Sequence, residues 1–240
     1  MGIGRKLCAA LAVTLALAGV LGTVWGWYSR QRELRCQVKS LEDRVAALEP
    51  AQWEKQWNLA KWYNYNLEQG TPALGSFYPG ILDMGDGAMA LLEVPQLGQR
   101  LVIRHGARGP VGHDPDTPFP IGGRGNHTVL QLSRGYGWTE GMTVYIDCLG
   151  RRQSYRVESI QVMPESWSTE RPTEAGGDYL TLVYDQGNTR TIIRCVRSQA
   201  LSVLETPSSR NVRWLVLALP WLPVAAALVQ KCLAKRVQRL

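Results

Sequence analysis

The sequence predicts a mainly β protein: a closed β-barrel with N-terminal helices before it and an apolar segment near each end of the chain. From residue 88 onward, seven short strand-like runs alternate with Gly- and Pro-rich turns and show no helical crossover pattern, which is typical of a closed barrel. Residues 31–68 instead follow a helical period. A chain of 240 residues has room for one such domain plus membrane elements.

The charge of the chain does not indicate a nucleic-acid partner. The formal net charge is +7, but many of the basic residues flank the two apolar segments, where Lys and Arg are typical of membrane interfaces. We therefore expect the chain to meet a membrane and no nucleic acid.

The first apolar segment, 7–29, contains no charged residue. At ~1.5 Å per residue it reaches about 35 Å, which is enough to cross a bilayer as a transmembrane helix. A cleaved signal peptide is the alternative. No small-x-small cleavage site follows the segment, and Trp25 and Trp27 resemble an interfacial aromatic belt, so the pattern favours an uncleaved anchor.

The second apolar segment, 214–230, is shorter and is interrupted by Pro220 and Pro223, which favours a kinked transmembrane span or a re-entrant segment. The basic tail 231–240 suits the cytoplasmic face. Because two spans place both termini on one side, we predict a cell-membrane protein with residues 1–6 and the tail in the cytoplasm and the barrel outside the cell.

Residues 30–83 are predicted to form a helical stalk and a lid region. Apolar residues recur there by four and three positions, the spacing of a coiled-coil seam, at Leu34, Val38, Leu41, Val45 and Leu48. This seam predicts either a homodimer through the 31–49 helix or an amphipathic helix packed on its own domain. A second helical stretch, 52–68, has an aromatic face that is expected to dock on a core. The barrel is assigned to 84–205 and a linker to 206–213.

The predicted strands are 89–94, 101–104, 127–132, 142–148, 154–163, 179–184 and 190–196. The last two flank a short polar turn and predict a hairpin that holds Asp185 beside Arg190. Taken alone, such a pair is a surface ion pair that closes a turn and contributes little to stability.

Motifs from the second helix to the last strand resemble, in order, those of the class C sortases. These are membrane-bound, pilus-building cysteine transpeptidases of Gram-positive bacteria. The resemblance covers roughly residues 62–196 plus both membrane anchors and implies a sortase-type closed β-barrel. The matching blocks are Tyr63-Asn64-x-x-Leu67, Asp86-Gly87-x-Met89-Ala90-x-Leu92-Glu93-Val94-Pro95, Leu101-Val102-Ile103-Arg104-His105-Gly106, Gly112-His113, Pro118-Phe119-Pro120-Ile121-Gly122-Gly123, Gly125-Asn126-His127-Thr128-Val129-Leu130, Thr181-Leu182 and Arg190-Thr191-Ile192-Ile193-Arg194.

The sequence departs from this family at the residues that carry its chemistry. Sortases attack their substrate with a thiolate, protonate the leaving amine with a histidine and stabilise the oxyanion with an arginine. Here Asp185 stands at the nucleophile position and Ser133 at the histidine position. Arg190 matches the arginine if the hairpin loop is shortened, and Arg194 matches it if no gap is introduced. No catalytic set is intact, which implies essentially no transpeptidation.

The resemblance implies a binding groove lined by Ser133, Tyr184, Asp185 and Arg190. Our first hypothesis is a catalytically inactive, sortase-like binding or assembly factor for surface proteins or pilins that carry sorting signals, acting beside an active sortase. A pseudoenzyme without a ligand is another reading. The enzymatic alternative is an active cysteine transpeptidase with a displaced nucleophile, Cys195, that joins such proteins to pilin or cell wall.

We expect no cofactor and no metal. The chain has three histidines, whose spacing does not resemble a metal motif, and all three fall on positions that look structural in the sortase family. The family's Asp-Pro-aromatic lid anchor is not recognisable in 76–83. Among the cysteines, Cys195 is by default a buried strand residue, whereas Cys36 would suit an intermolecular disulfide in an oxidising exterior.

Overall fold

The computed structural model describes residues 3–70, 78–107, 109–123, 126–166 and 177–198. Helices α1 and α2 come first, and eight strands follow. The helices are α1 Ile3–Ala46 and α2 Pro50–Glu68, and the strands are β1 Ala88–Val94, β2 Gln99–His105, β3 Val111–His113, β4 His127–Leu132, β5 Thr143–Cys148, β6 Arg151–Pro164, β7 Tyr179–Gln186 and β8 Thr189–Arg197.

The strands form a closed barrel in the order β1-β2-β3-β4-β7-β8-β6-β5. Two neighbouring pairs, β2–β3 and β4–β7, are parallel, and the other pairs are antiparallel. The predicted closed barrel with N-terminal helices is confirmed, and each of the seven predicted strands is present. The additional strand is β3, whose three residues are too short to produce a recognisable alternation.

Alternate residues of the strands fill the barrel, as the two-residue period of a strand requires. On β7, Leu180 and Leu182 point into the core, and on β8 Ile193 and Cys195 do so. The residues between them therefore face outward. This alternation decides which side chains of the β7–β8 hairpin can meet a ligand on the outer surface.

The predicted coiled-coil seam of α1 packs on the barrel of its own chain. Val38 and Leu41 keep only 5% and 3% of their surface exposed and belong to the same hydrophobic cluster as the strands. Leu34, Val45 and Leu48 are partly buried against that cluster. The predicted homodimer through 31–49 is not supported, because the apolar face that would pair two copies is already covered within the chain.

Among the residues that the structure describes, no helix combines the length and the apolar character that crossing a membrane requires. The prediction of a transmembrane helix over 7–29 finds no support in this result. The predicted linker 206–213, second span 214–230 and tail 231–240 lie outside the described residues.

Helix α2 docks its aromatic face on the barrel, as predicted. Trp57 and Tyr63 are buried, and Trp53 stacks on Trp57 with the two ring centroids 5.4 Å apart. The Arg151 guanidinium, at the start of β6, lies over both indole rings at 4.6 and 4.4 Å. The Asn64 side chain exchanges two hydrogen bonds with the backbone of Phe119, accepting from its N–H at 2.7 Å and donating to its carbonyl at 3.1 Å. These contacts hold the helix against the barrel.

Candidate functional site

The β7–β8 hairpin closes through a two-residue turn, Gly187 and Asn188, next to the last paired residues Gln186 and Thr189. Gly187 has a φ of +62°, a conformation that glycine adopts without a steric penalty and that suits the first position of a tight hairpin turn. The pairing of β7 with β8 therefore extends beyond Asp185 and Arg190 toward the turn. Asp185 is fixed within regular strand, directly across from its β8 partner.

That partner is Arg190, and the two side chains form a two-point ion pair. The Arg190 Nε donates to Asp185 Oδ1 at 2.8 Å, and Nη2 donates to Oδ2 at 3.2 Å. The side chains are 24% and 29% exposed, respectively. The hydrogen bond to Asp185 raises the pKa of Arg190 above its usual range. The carboxylate thus occupies two N–H groups of the arginine that the resemblance assigns to oxyanion binding.

Ser133 lies at the same end of the barrel. The parallel ladder between β4 and β7 ends at the pair Gln131 and Val183, and Ser133 and Asp185 each follow two residues later. Ser133 is exposed, and its backbone N–H donates to the Pro110 carbonyl at 3.0 Å.

The loop after Ser133 packs on the end of β7. A Cβ atom added to Gly135 would lie 2.9 Å from the Tyr184 ring, so the half-buried tyrosine rests directly on this loop. The fold thereby brings the four predicted groove residues to one corner of the barrel. That this corner binds a ligand remains a prediction.

The middle of the outward face of the β7–β8 hairpin is not accessible to solvent. Val183 and Ile192 pair with each other on the outward face, and each is only 4% exposed. The accessible polar groups lie toward the two ends of this strip. Asp185 and Arg190 lie at one end, and Arg194 lies on the same face four residues further along β8, which corresponds to about 13 Å.

Sequence reasoning did not single out the side chains around Arg194. Its paired neighbours are Thr181 on β7 and Ser159 on β6. The Thr181 hydroxyl also lies 2.8 Å from His127 Nε2 on β4. A β-bulge between Val157 and Ser159 sets this arrangement, because it places Ser159 rather than its neighbour opposite Arg194. Nothing in the sequence marks the bulge.

Cys195 does not reach this face. Its side chain is 0% exposed within the barrel core, and burial raises the pKa of its thiol well above the usual range. A nucleophile needs an accessible thiolate. The structure therefore argues against Cys195 as a displaced nucleophile. Cys148 is equally buried, with the pKa raised by burial to about 12, whereas Cys36 is exposed.

His105 and His113 lie in an aromatic cluster under the predicted lid region. The Tyr78 hydroxyl lies 2.8 Å from His113 Nδ1, and His113 Nε2 donates to the Pro118 carbonyl at 2.9 Å. Burial lowers the pKa of His113 to about 4. Burial also lowers the pKa of His105, whose two ring nitrogens have no hydrogen-bond partner among the described residues. Both rings are buried in the core of this region.

The part of the chain that the structure describes holds no group of three or more His, Cys, Asp or Glu side chains arranged to bind a metal ion. His127 instead hydrogen-bonds Thr181, and His113 hydrogen-bonds Tyr78.

Comparison with known proteins identifies the fold. No protein-family model matches the sequence, and no curated protein matches it. Among solved structures, the chain is similar to sortase C1 of GBS pilus island 1, with a TM-score of 0.63 and 22% identity over 75% of this chain and 98% of that one. The fold is that of class C sortases.

Two further sortase structures support this assignment. A Streptococcus agalactiae sortase C1 matches with a TM-score of 0.62 and 22% identity over 70% of this chain and 99% of its own. Sortase C from Clostridium perfringens, solved with the C-terminal cell wall sorting motif, matches with a TM-score of 0.60 and 22% identity over 69% and 99% of the two chains. At these identities, the similarity to sortases establishes architecture and does not extend to activity.

Proposed function

We propose that this protein is a catalytically inactive, sortase-like factor that binds the sorting-signal segments of surface proteins or pilins. The observation that carries the proposal is the ion pair of Asp185 and Arg190. Asp185 stands at the nucleophile position of the sortase pattern, and its carboxylate takes two hydrogen bonds from the arginine. A paired carboxylate neither attacks a peptide carbonyl as a thiolate does nor leaves those N–H groups for an oxyanion.

The surroundings of the pair support binding without covalent chemistry. Ser133 follows β4 at the position where sortases hold their acid/base histidine, and a serine hydroxyl does not protonate a leaving amine at neutral pH. Cys195 faces the core. Polar side chains lie at both ends of the outward strip, Asp185 and Arg190 at one end and Arg194 at the other. The C. perfringens structure, solved with a sorting motif, makes a sorting-signal segment the reasonable probe.

The test combines two measurements on the full-length protein. Fluorescence anisotropy with a labelled sorting-signal peptide that contains a Thr-Gly bond is expected to show saturable binding, and a scrambled peptide of the same composition is expected to bind weakly. Intact-mass spectrometry after prolonged incubation is expected to find neither an acyl adduct nor cleaved peptide. A covalent adduct would overturn the inactive assignment, and equal affinity for the scrambled peptide would overturn the binding assignment.

We also propose that the chain is held at the cell membrane with both termini cytoplasmic and the barrel outside. The support comes from the uncharged stretch 7–29 and from large apolar side chains of α1 that are exposed, namely Val20, Leu21, Val24, Trp25, Trp27 and Tyr28. Exposed apolar surface of this extent is unusual for a helix in water.

Thiol labelling tests this topology. A membrane-impermeant maleimide applied to intact protoplasts is expected to modify Cys36 and to leave Cys232 unmodified until the membrane is permeabilised. The single variants Cys36→Ser and Cys232→Ser assign the label. Modification of Cys232 without modification of Cys36 would reverse the proposed orientation. Release of the protein from the membrane by a high-salt wash would rule out the transmembrane anchor.

A further inference from the structure

Strand β6 is longer than the strand that pairs with it on one of its two sides. Strand β5 pairs with residues 151–156 of β6, whereas β8 pairs with it as far as Pro164. Val157 extends the first pairing by one position, since it accepts from the Gly141 N–H at 2.9 Å and donates to the Met142 carbonyl at 2.8 Å. From residue 158 to residue 163, the edge of β6 that faces away from β8 has no strand beside it in the described part of the chain.

The alternation of the β6–β8 ladder shows which backbone groups point to this edge. At the end of the ladder, the Glu165 N–H donates to the Asn188 carbonyl at 3.2 Å. Residues that bond the partner strand alternate in an antiparallel ladder with residues that point away from it. The odd-numbered residues 161 and 163 therefore bond β8, whereas Ile160 and Val162 direct their N–H and C=O groups outward. Within the described ranges, no backbone group pairs with these.

The free edge is short and carries an exposed β-branched side chain. Val162 is 64% exposed, and Ile160 is partly buried against the core. The edge begins at the bulge between Val157 and Ser159 and ends at Pro164, which has no N–H to donate. An unpaired strand edge of this kind is a template on which another extended segment can pair.

Exposed acidic side chains lie at both ends of the free edge. Glu165 follows one end, and Glu158 lies at the other. Glu140 is also exposed near the second end, because it precedes the residue whose N–H bonds β6 at position 157. A segment with a positive charge at each end therefore matches the edge in charge as well as in backbone.

The cations of this region are less well placed to meet such a segment. Arg156 lies on the part of β6 that β5 already covers. Arg190 and Arg194 belong to β8, one strand further from the edge, and Arg190 is paired with Asp185 at 2.8 Å. The charge that borders the free edge itself is acidic.

We propose that residues 158–163 of β6 bind an extended segment of a partner protein as an additional strand, and that this segment has alternating β-branched residues and a basic residue at each end. The inference is independent of the proposed sorting-signal binding, because the edge lies on the far side of β8 from β7 and β4. A second copy of the chain is a poorer occupant. Antiparallel pairing of two such edges about Gln161 would bring their acidic ends together, and like charges on facing strands are destabilising.

Fluorescence anisotropy with the full-length protein tests the binding and its charge preference. The probe is fluorescein-labelled Lys-Val-Thr-Val-Thr-Val-Lys with a C-terminal amide, and the control peptide has Glu in place of both Lys. We expect saturable binding of the probe and about 5- to 30-fold weaker binding of the control, since attraction at both ends is replaced by repulsion. Glu165→Gln is expected to reduce this difference.

Two variants of one residue locate the binding on the edge. Val162→Pro removes an outward N–H without removing a bond to β8, because proline is tolerated where the N–H of an edge strand faces solvent. It is expected to weaken binding of the probe at least about 10-fold, since a donor is lost and the ring obstructs pairing. The matched control is Val162→Thr, which keeps the N–H and the branched shape and is expected to bind within about 3-fold of the parent. Urea denaturation shows whether both variants are folded.

Hydrogen exchange on the parent protein gives a readout that needs no variant. Saturation with the probe is expected to slow exchange in residues 158–163, and the control peptide is expected to leave it unchanged. Fast exchange of this segment in the free protein is also expected, because its outward amides are unpaired. Slow exchange without peptide would show that another segment of the chain covers the edge, and the proposal would be wrong.

The remaining outcomes separate the possible occupants. Equal binding of the two peptides, or full binding by a folded Val162→Pro variant, would overturn the proposal. A dimer of the parent in analytical ultracentrifugation that Val162→Pro dissociates would assign the edge to a second copy instead. Binding of a sorting-signal peptide by Val162→Pro is expected to equal that of the parent, so that failure of either proposal leaves the other standing.

Discussion

The Asp185 carboxylate and the Arg190 guanidinium face each other across the β7–β8 hairpin and share two hydrogen bonds, at 2.8 and 3.2 Å. The sequence resemblance predicts that these two positions correspond to the nucleophile and the oxyanion-binding arginine of a sortase. Since the pair is partly exposed, its contribution to stability is small, about 0–1 kcal/mol. Its main effect is on which groups remain available to a ligand.

Restoring the missing chemistry tests whether the scaffold is intact. In Asp185→Cys, the arginine is released from its carboxylate partner, but no proton donor serves the leaving amine, so we expect at most slow acyl-enzyme formation. The double variant Asp185→Cys with Ser133→His should label with a sorting-signal peptide detectably faster. A shift of ~1 Å in the arginine can cost about 10²-fold, so the expected gain is small. Time-resolved intact-mass spectrometry measures it.

Two controls accompany this experiment. Ser133→His alone supplies a base without a nucleophile and is expected to give no adduct. Adding Arg190→Gln to the double variant should suppress labelling if that residue binds the oxyanion. Labelling of the double variant no faster than Asp185→Cys would mean that Ser133 does not occupy the histidine's place.

The accessibility of the thiols is a separate prediction. Cys148 and Cys195 are buried, and Cys36 is exposed. In the native protein, iodoacetamide followed by peptide mass mapping should modify Cys36 within minutes, while Cys195 reacts only after denaturation. Rapid native modification of Cys195 would revive it as a displaced nucleophile, and Cys195→Ala would then be required to abolish any peptide cleavage.

Stability is expected to fall as the pH drops from about 6.5 to about 4. Burial lowers the pKa of His113 to about 4 and also lowers the pKa of His105. Between these pH values, the unfolded chain binds protons that the folded chain excludes, so acidification favours unfolding. The His113 contribution is at most about 3 kcal/mol, and it is fully present at neutral pH. Thermal unfolding followed by circular dichroism at several pH values measures the loss.

His105→Phe separates the two histidines. Because neither ring nitrogen of His105 has a hydrogen-bond partner in the described structure, a phenyl ring of similar size removes an uncompensated polar group from the core. We expect the variant to be as stable as the parent at pH 7 and to lose less stability at pH 5. A destabilisation above about 2 kcal/mol at pH 7 would indicate a partner for His105 that the geometry does not contain.

The docking of α2 depends on Asn64, whose side chain makes two hydrogen bonds to the backbone of Phe119. Asn64→Ala leaves those backbone groups without partners and is expected to cost about 1–3 kcal/mol, measured by urea denaturation. The matched control is Asn66→Ala on the same helix, where the side chain donates to the Trp62 carbonyl of its own helix at 2.7 Å. Equal losses for the two variants would contradict a specific role for Asn64.

Much of this fold could be predicted because the relevant signals are local. Strand alternation and turn residues identified seven strands, and the short polar turn placed Asp185 opposite Arg190. The same reasoning could not find the surroundings of Arg194. Its paired neighbours are Thr181 on β7, which the parallel β4–β7 ladder brings to His127, and Ser159 on β6, which a bulge places there. Register between distant strands is fixed by the packed barrel rather than by any one segment.

The apolar seam of α1 shows that the sequence can predict an apolar face without predicting the surface that covers it. Residues such as Val38 and Leu41 have the spacing of a coiled coil, but a seam of that length describes only an apolar face. Which surface covers that face depends on tertiary structure, and here it is the chain's own barrel. The burial of Cys195 was predictable from its position in a strand, since alternation places it on the same side as Ile193.

The two-residue turn at Gly187 and Asn188 has a consequence for binding kinetics. Because pairing extends to Gln186 and Thr189, the backbone at this corner was ordered when the chain folded. If the proposed peptide binds there, it loses its own conformational freedom but does not have to immobilise the β7–β8 turn. We therefore expect affinity differences among such peptides to arise mainly from their dissociation rates.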